Sequence, residues 1–119
     1  MSVGSDPPLR DRKPLVFLAS GVAIKSPPFK AEARREAGVL LGRLQVGETI
    51  GMPHSRPMPS IGPRCHELRI RDAAHYWRIM YRIDPDAILV IEVFPKGTRK
   101  TPLPEIRLCQ NRLAAYDAG

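Results

Sequence analysis

The side chains best suited to chemistry here are cations, and their spacing gathers them in three places. Along Cys65–Arg71 the residues alternate, with Glu67, Arg69 and Arg71 on one side and His66, Leu68 and Ile70 on the other. Along Tyr76–Ile83 they alternate again, setting Tyr76, Arg78, Met80 and Arg82 against Trp77, Ile79, Tyr81 and Ile83. A period of two is the mark of half-buried strands, and Asp72-Ala73-Ala74-His75 joins the two as a hairpin. A symmetric turn pairs Ile70 with Trp77, Leu68 with Ile79 and His66 with Tyr81, and sets Arg69 directly opposite Arg78. Like charges facing each other across a ladder destabilise it, so this pair needs an acidic neighbour or an anionic ligand. The second group is Lys96, Arg99 and Lys100, in a loop that runs into a helix N-terminus, an arrangement suited to clamping a phosphate. The third is the proline-rich stretch Glu48–Pro63, which holds His54 and Arg56 and ends beside Arg64. Long aperiodic loops within a compact domain are often functional. Two readings of these cations stand side by side: a phosphate-binding surface, or a solvated salt-bridge network with Glu67 and Glu92.

The overall balance is consistent with the first. Lys and Arg number 19 against 12 Asp and Glu, a formal charge of +7 over 119 residues. Such an excess favours a polyanionic partner: nucleic acid first, an acidic protein second, an anionic membrane surface third. The hydrophobic share of 43% is enough for an ordinary core. No apolar run approaches the roughly 20 residues that span a bilayer, and Leu15–Ala19 is too short for the apolar core of a signal peptide. Cys65 and Cys109 stand far apart with no Cys-x-x-Cys pattern, so neither a disulfide framework nor a zinc site is indicated. The expectation is a soluble cytoplasmic protein with no metal and no cofactor.

The elements that must position these cations can be read in order. Residues 1–13 form a polar tail, and residues 14–119 a single domain. Leu15–Ala19 is a short buried strand. Ser26-Pro27-Pro28 starts a helix whose Ala33, Ala37, Leu40, Leu41 and Leu44 recur at helical spacing, and Gly47 ends it. After the hairpin, Ala87–Phe94 is continuously apolar apart from Glu92, as a central strand is. An odd-length turn at Asp84-Pro85-Asp86 pairs Tyr81 with Leu89, Ile79 with Ile91 and Arg78 with Glu92. An even-length turn pushes Glu92 towards the core, so the odd-length turn is the one expected. Thr101-Pro102 opens a last helix with Ile106, Cys109, Leu113 and Tyr116 on its inner stripe. Trp77 falls in the core by register, and His75 is a surface residue of the turn. The architecture expected is α+β in the order β-α-β-β-β-α, a small antiparallel sheet with the helices packed on one face and the cations on the other.

Within this order, Cys65-His-Glu-Leu-Arg-Ile-Arg71, Trp77-Arg-Ile-Met-Tyr-Arg82, Ile88-Leu-Val-Ile-Glu-Val-Phe94 and Lys96-Gly-Thr-Arg-Lys-Thr-Pro102 resemble the RelE/ParE toxin superfamily. The stretch from His54 to Arg69 resembles its phage-derived, HigB-like branch. The likeness covers about residues 14–117. It implies a RelE-like fold and the toxin of a type II toxin–antitoxin system: a metal-independent, ribosome-dependent messenger-RNA endoribonuclease. The implied partners are the ribosome, messenger RNA and a cognate antitoxin of helix-turn-helix type, with which the toxin forms a hetero-oligomer.

The implied reaction is attack of an RNA 2′-hydroxyl on the adjacent phosphorus, which requires a base, an acid and cations for the developing charge. Carried over by motif, Arg78 stabilises the phosphate, and Lys96 and Lys100 are candidates for leaving-group acid or clamp. Glu67 or His54 is the base. His54 suits proton transfer with an ordinary pKa of roughly 6.5, whereas flanking arginines lower the pKa of Glu67 and make it a poor base. Arg64, Arg69, Arg71, Arg82 and Arg99 are expected to hold RNA backbone. Several relatives carry in the active site a histidine or tyrosine from near the C-terminus, but Tyr116 here falls on the inner stripe of the last helix and is expected in the core. Two other functions fit the same fold: a ParE-like inhibitor of DNA gyrase, and a non-catalytic phage-derived binding protein.

Overall fold

A computed structural model of the protein describes residues 12–18, 30–73, 76–95 and 100–119. It contains β1 (Leu15–Phe17), α1 (Ala31–Gln45), β2 (Ser55–Pro57), β3 (Cys65–Arg71), β4 (Tyr76–Ile83), β5 (Ile88–Pro95) and α2 (Leu103–Asp117). The α+β class is as expected. The strands form one sheet in the order β1-β5-β4-β3-β2, in which β1 runs parallel to β5 and every other neighbouring pair is antiparallel. Two details therefore differ from the sequence reading. The sheet is mixed rather than antiparallel, and the proline-rich loop contributes a strand of its own. Residues Ser55–Pro57 pair with His66–Leu68; Pro57, at their end, is tolerated because β2 is an edge strand.

Helix α1 lies where its apolar spacing predicts. Its Ala33, Ala37, Leu40, Leu41 and Leu44 pack against Leu68, Ile70, Trp77, Ile79, Tyr81, Ile88 and Val90 on one face of the sheet. Ser26-Pro27-Pro28, the expected start, lies outside the described residues. The end is a full Schellman turn: Gly47 takes φ +91°, its N–H donates to Leu44 O and the Glu48 N–H to Arg43 O, both at 3.0 Å. Lys13 and Gln45 exchange two hydrogen bonds of 2.9 Å, so the folded part already includes Lys13, which the sequence reading left in the tail.

The helices do not share a face. Cys109 and Leu113 of α2 pack with Met58 and Ile61 of the loop after β2 and with Cys65, Met80, Leu89 and Ile91, strand residues that alternate with the α1-facing set. The second face, expected to be solvated, is thus covered over most of its length. The physical reason is visible in β5, where Ile88, Leu89, Val90 and Ile91 are all fully buried; a strand apolar at every position needs cover on both sides. Tyr116 is not core, being 38% exposed near the end of α2. Trp77 is core, with its indole N–H donating to Asp72 Oδ2 at 3.1 Å.

The β3–β4 register is the one expected, Arg69 opposite Arg78 included. The β4–β5 register is not. It begins as the even-length pairing, with Ile83 opposite Ile88 and Tyr81 opposite Val90, and a bulge between Met80 and Tyr81 then shifts it by one residue. Met80 consequently faces Glu92, and Arg78 faces Phe94. The bulge inserts the extra residue that keeps both ends of β5 in phase with their neighbours. Glu92 sits under α2, where Arg112 meets it at 3.2 Å, and is not the partner of Arg78.

Candidate functional site

The centre of the arginine cluster is Glu67, whose side chain is completely buried. Strand alternation points it towards the α2 face, but at the end of the sheet where the α2 core gives way to arginines. Its Oε1 receives three guanidinium groups, each through Nε: Arg56 at 3.0 Å, Arg78 at 3.2 Å and Arg69 at 3.5 Å. Its Oε2 accepts a hydrogen bond of 2.8 Å from the Thr101 hydroxyl. The three arginines come from adjacent strands: Arg56 stands opposite Glu67 across β2–β3, and Arg69 opposite Arg78 across β3–β4. The acidic neighbour required by the Arg69–Arg78 pairing is therefore present, but one carboxylate serves three cations and two positive charges are left over.

All three arginines meet Glu67 through Nε, which leaves their terminal nitrogens to find other partners. Only Arg78 Nη1 has a partner among the described residues, a 3.4 Å contact to Trp77 O. Arg78 is the most enclosed, with 12% of its side chain exposed against 31% for Arg56 and Arg69. Its Nε, although close to Glu67, lies off the line of a hydrogen bond and is otherwise unpaired. Burial lowers the Arg78 pKa, Glu67 opposes that, and Arg69 and Arg56 add to the lowering. Burial among like charges is tolerable only with compensation, and an incoming anion would supply it.

The array opens into a groove of about 350 Å³ at the edge of the sheet, lined by His54, Arg69, Arg71 and Arg78 among others. His54 reaches it because β2 ends there: the Arg69 N–H donates to His54 O at 2.7 Å, the last bond along this edge. His54 is exposed. Four residues singled out in the sequence thus line one groove, and a proton-transfer group stands with a cluster of cations.

Other candidates fall elsewhere. Glu67, the alternative base, has no exposed surface, and both its oxygens are occupied by Arg56, Arg69, Arg78 and Thr101. Arg82 and Arg64 sit towards the opposite end of β3 and β4, four and five residues along the chain from Arg78 and Arg69, or about 13–17 Å at a strand's rise per residue. Arg82 is clamped by Asp84 at 2.7 Å and Asp117 at 2.7 Å, and Arg64 reaches Ile83 O and Asp84. Arg82 thereby ties α2, through Asp117, to the sheet, and Arg64 fastens the start of β3 to the end of β4. Lys96, Arg99 and His75 lie outside the described residues. Lys100 is exposed and adjoins Thr101, which anchors its loop to Glu67.

Sequence reasoning missed two residues lining the groove, Glu36 of α1 and Tyr76 at the start of β4. Neither belongs to a motif. Tyr76 does lie on the arginine side of the alternation, which was the available signal; Glu36 was marked only by lying off the apolar stripe of α1.

The thiols are inert in this setting. Both are buried and free, and burial pushes Cys65 up and Cys109 up to about 12. Among the described residues no group of three or more His, Cys, Asp or Glu side chains could hold a metal, and no helix is long and apolar enough to cross a membrane.

No curated protein and no solved structure matches the chain with statistical significance. A family model does: the one described as phage derived protein Gp49-like (DUF891) matches residues 28–114, which take in α1, the sheet from β2 to β5 and most of α2. The chain therefore belongs to the family of phage-derived Gp49-like proteins.

Proposed function

We propose that this protein is an RNA-targeting toxin of type II toxin–antitoxin kind, acting as an endoribonuclease on messenger RNA within the ribosome. The observation that carries the reading is the charge of the Glu67 cluster: three guanidiniums on one buried carboxylate, two of which, Arg69 and Arg78, also line the groove that holds His54. Membership of a phage-derived family and the resemblance of the strand motifs to RelE-like toxins support the same assignment. Phosphate contacts of this sort supply affinity without reading sequence, as suits an enzyme that leaves substrate presentation to the ribosome.

In the reaction we propose, His54 takes the proton of an RNA 2′-hydroxyl, and the oxygen attacks the adjacent phosphorus. The bond from phosphorus to the 5′-oxygen breaks. A cationic side chain of the 96–100 loop, Lys96 or Lys100, returns a proton to that oxygen. The products are a 2′,3′-cyclic phosphate and a 5′-hydroxyl end. Arg78 and Arg69 hold the non-bridging oxygens, whose negative charge grows in the transition state; fixed donors in a partly dry site are worth most at that point. A helix-turn-helix antitoxin that covers the groove completes the proposal, the free groove being too cationic to leave open in a resting cell.

The test is controlled expression of the wild type and of Arg78→Ala, with messenger 5′ ends mapped. Growth arrest with new 5′-hydroxyl ends inside translated codons, lost in Arg78→Ala, is the expected result. Arrest with intact messages and damaged DNA would assign the protein to gyrase inhibition, and absence of arrest would leave a binding protein.

A further inference from the structure

The groove beside the arginine array is not cationic on every side. Glu36 projects into it from α1, opposite a sheet edge that supplies Arg69, Arg71 and Arg78. Glu36 makes no ion pair among the described residues, although cations line the same space. A carboxylate in such a place weakens the grip on a bare phosphate. Its presence makes sense if the ligand carries a hydrogen-bond donor to meet it.

The same groove holds a flat surface. Tyr76 is 55% exposed, and the Arg71 guanidinium carbon lies 5.7 Å from the centre of its ring, a cation–π contact. Arginine planes and exposed aromatic rings are the surfaces on which unpaired RNA bases stack. The volume of about 350 Å³ is within the lower part of the range of small-ligand sites, roughly 300–1,000 Å³.

We propose that this groove reads one base of the RNA: phosphate on Arg69 and Arg78, base on the Arg71–Tyr76 stack, and the exocyclic amine of that base donating to Glu36. The inference rests on the RNA reading above and adds a specificity to it. Adenine, cytosine and guanine each carry such an amine. Uracil turns carbonyl oxygens towards the carboxylate on both sides of its single ring N–H, and is disfavoured.

Binding can be measured without cleavage. The full-length protein, labelled with ¹⁵N, is titrated with inorganic phosphate and with each of the four ribonucleoside 3′-monophosphates, following the arginine Nε and backbone amide signals. The expected result is that all five ligands shift the Arg69 and Arg78 signals, with the three amine-bearing nucleotides bound about tenfold more tightly than the uridine nucleotide. In Glu36→Gln the preference collapses to within about twofold, because an amide can turn to either donate or accept, while phosphate binding is retained or strengthened. Tyr76→Ala weakens all four nucleotides alike and leaves phosphate unchanged. Equal affinities for the four nucleotides, or a preference that survives Glu36→Gln, would overturn base reading and leave the phosphate site standing. Absence of any shift with phosphate or nucleotide would overturn the RNA reading together with it.

Discussion

The two ends of the central hairpin use arginine in opposite ways. At one end Arg64 and Arg82 meet Asp84 and Asp117, two cations against two carboxylates, and the charges cancel. At the other, Arg56, Arg69 and Arg78 share the single carboxylate of Glu67 and an excess of two remains. The residue type and the sheet face are the same; the supply of acidic partners differs. The first arrangement fastens α2 to the sheet through Arg82 and Asp117. The second holds its cations in place with one shared anchor and directs the surplus outward. A buried arginine becomes a candidate for function when the carboxylates around it are too few.

Substitutions at the two ends should separate these roles. The largest effect belongs to Glu67→Ala, which leaves three guanidiniums around an empty anchor; loss of one partner of a buried charge cluster costs about 3–5 kcal/mol, measurable by urea unfolding. If stability is barely changed, the shared-anchor description fails. Next comes Arg78→Ala: under the proposed ribonuclease function it should lower messenger cleavage by about 10²–10³-fold, as removal of one charge-stabilising donor does, with the fold retained by circular dichroism. Arg82→Ala should show the reverse pattern. Unfolding would become easier by about 2–3 kcal/mol, less than for a wholly buried pair because Asp117 is half exposed, while cleavage per folded molecule is unchanged.

The pH dependence is smaller again. The Arg82 hydrogen bonds hold the Asp117 carboxyl below its ordinary range. Its contribution is therefore complete above the ordinary aspartate pKa of roughly 3.9 and disappears as pH falls through the depressed value. Asp117→Asn should flatten the acid limb of stability against pH, and an unaltered limb would assign that limb to other groups. Least of all, Cys109, held up to about 12, should resist alkylation at pH 8 until the protein is unfolded, as thiol counting with and without urea would reveal.

Much of this contrast was legible in the residues. Period-two alternation on both hairpin strands gave the β3–β4 register and the opposed arginines, because a symmetric turn leaves no freedom once one face is apolar. The fate of the second face was not read correctly, although the clue was in Ile88–Ile91: four consecutive buried positions demand cover on both sides. The β5 register failed because regular alternation cannot anticipate the bulge at Met80/Tyr81. Glu67 was noticed for its charge, but its burial depends on Arg56 and Thr101, 11 and 34 residues away along the chain. Glu36 was out of reach for the same reason, since only tertiary packing brings α1 to the edge of β3.

The parallel pairing of β1 with β5 has a consequence for the order of assembly. Leu15 lies beside Ile88, so the first strand of the fold to be synthesised waits for one of the last. At the usual translation rate of roughly 5–20 residues per second, that delay is several seconds, during which α1 and the β2–β4 hairpins can already form from local contacts. On that order β1 docks last, and its contacts are expected to form after the folding transition state. Val16→Ala should accordingly speed unfolding and leave the refolding rate nearly untouched, making the N-terminal strand a determinant of how long the folded protein lasts rather than how fast it forms.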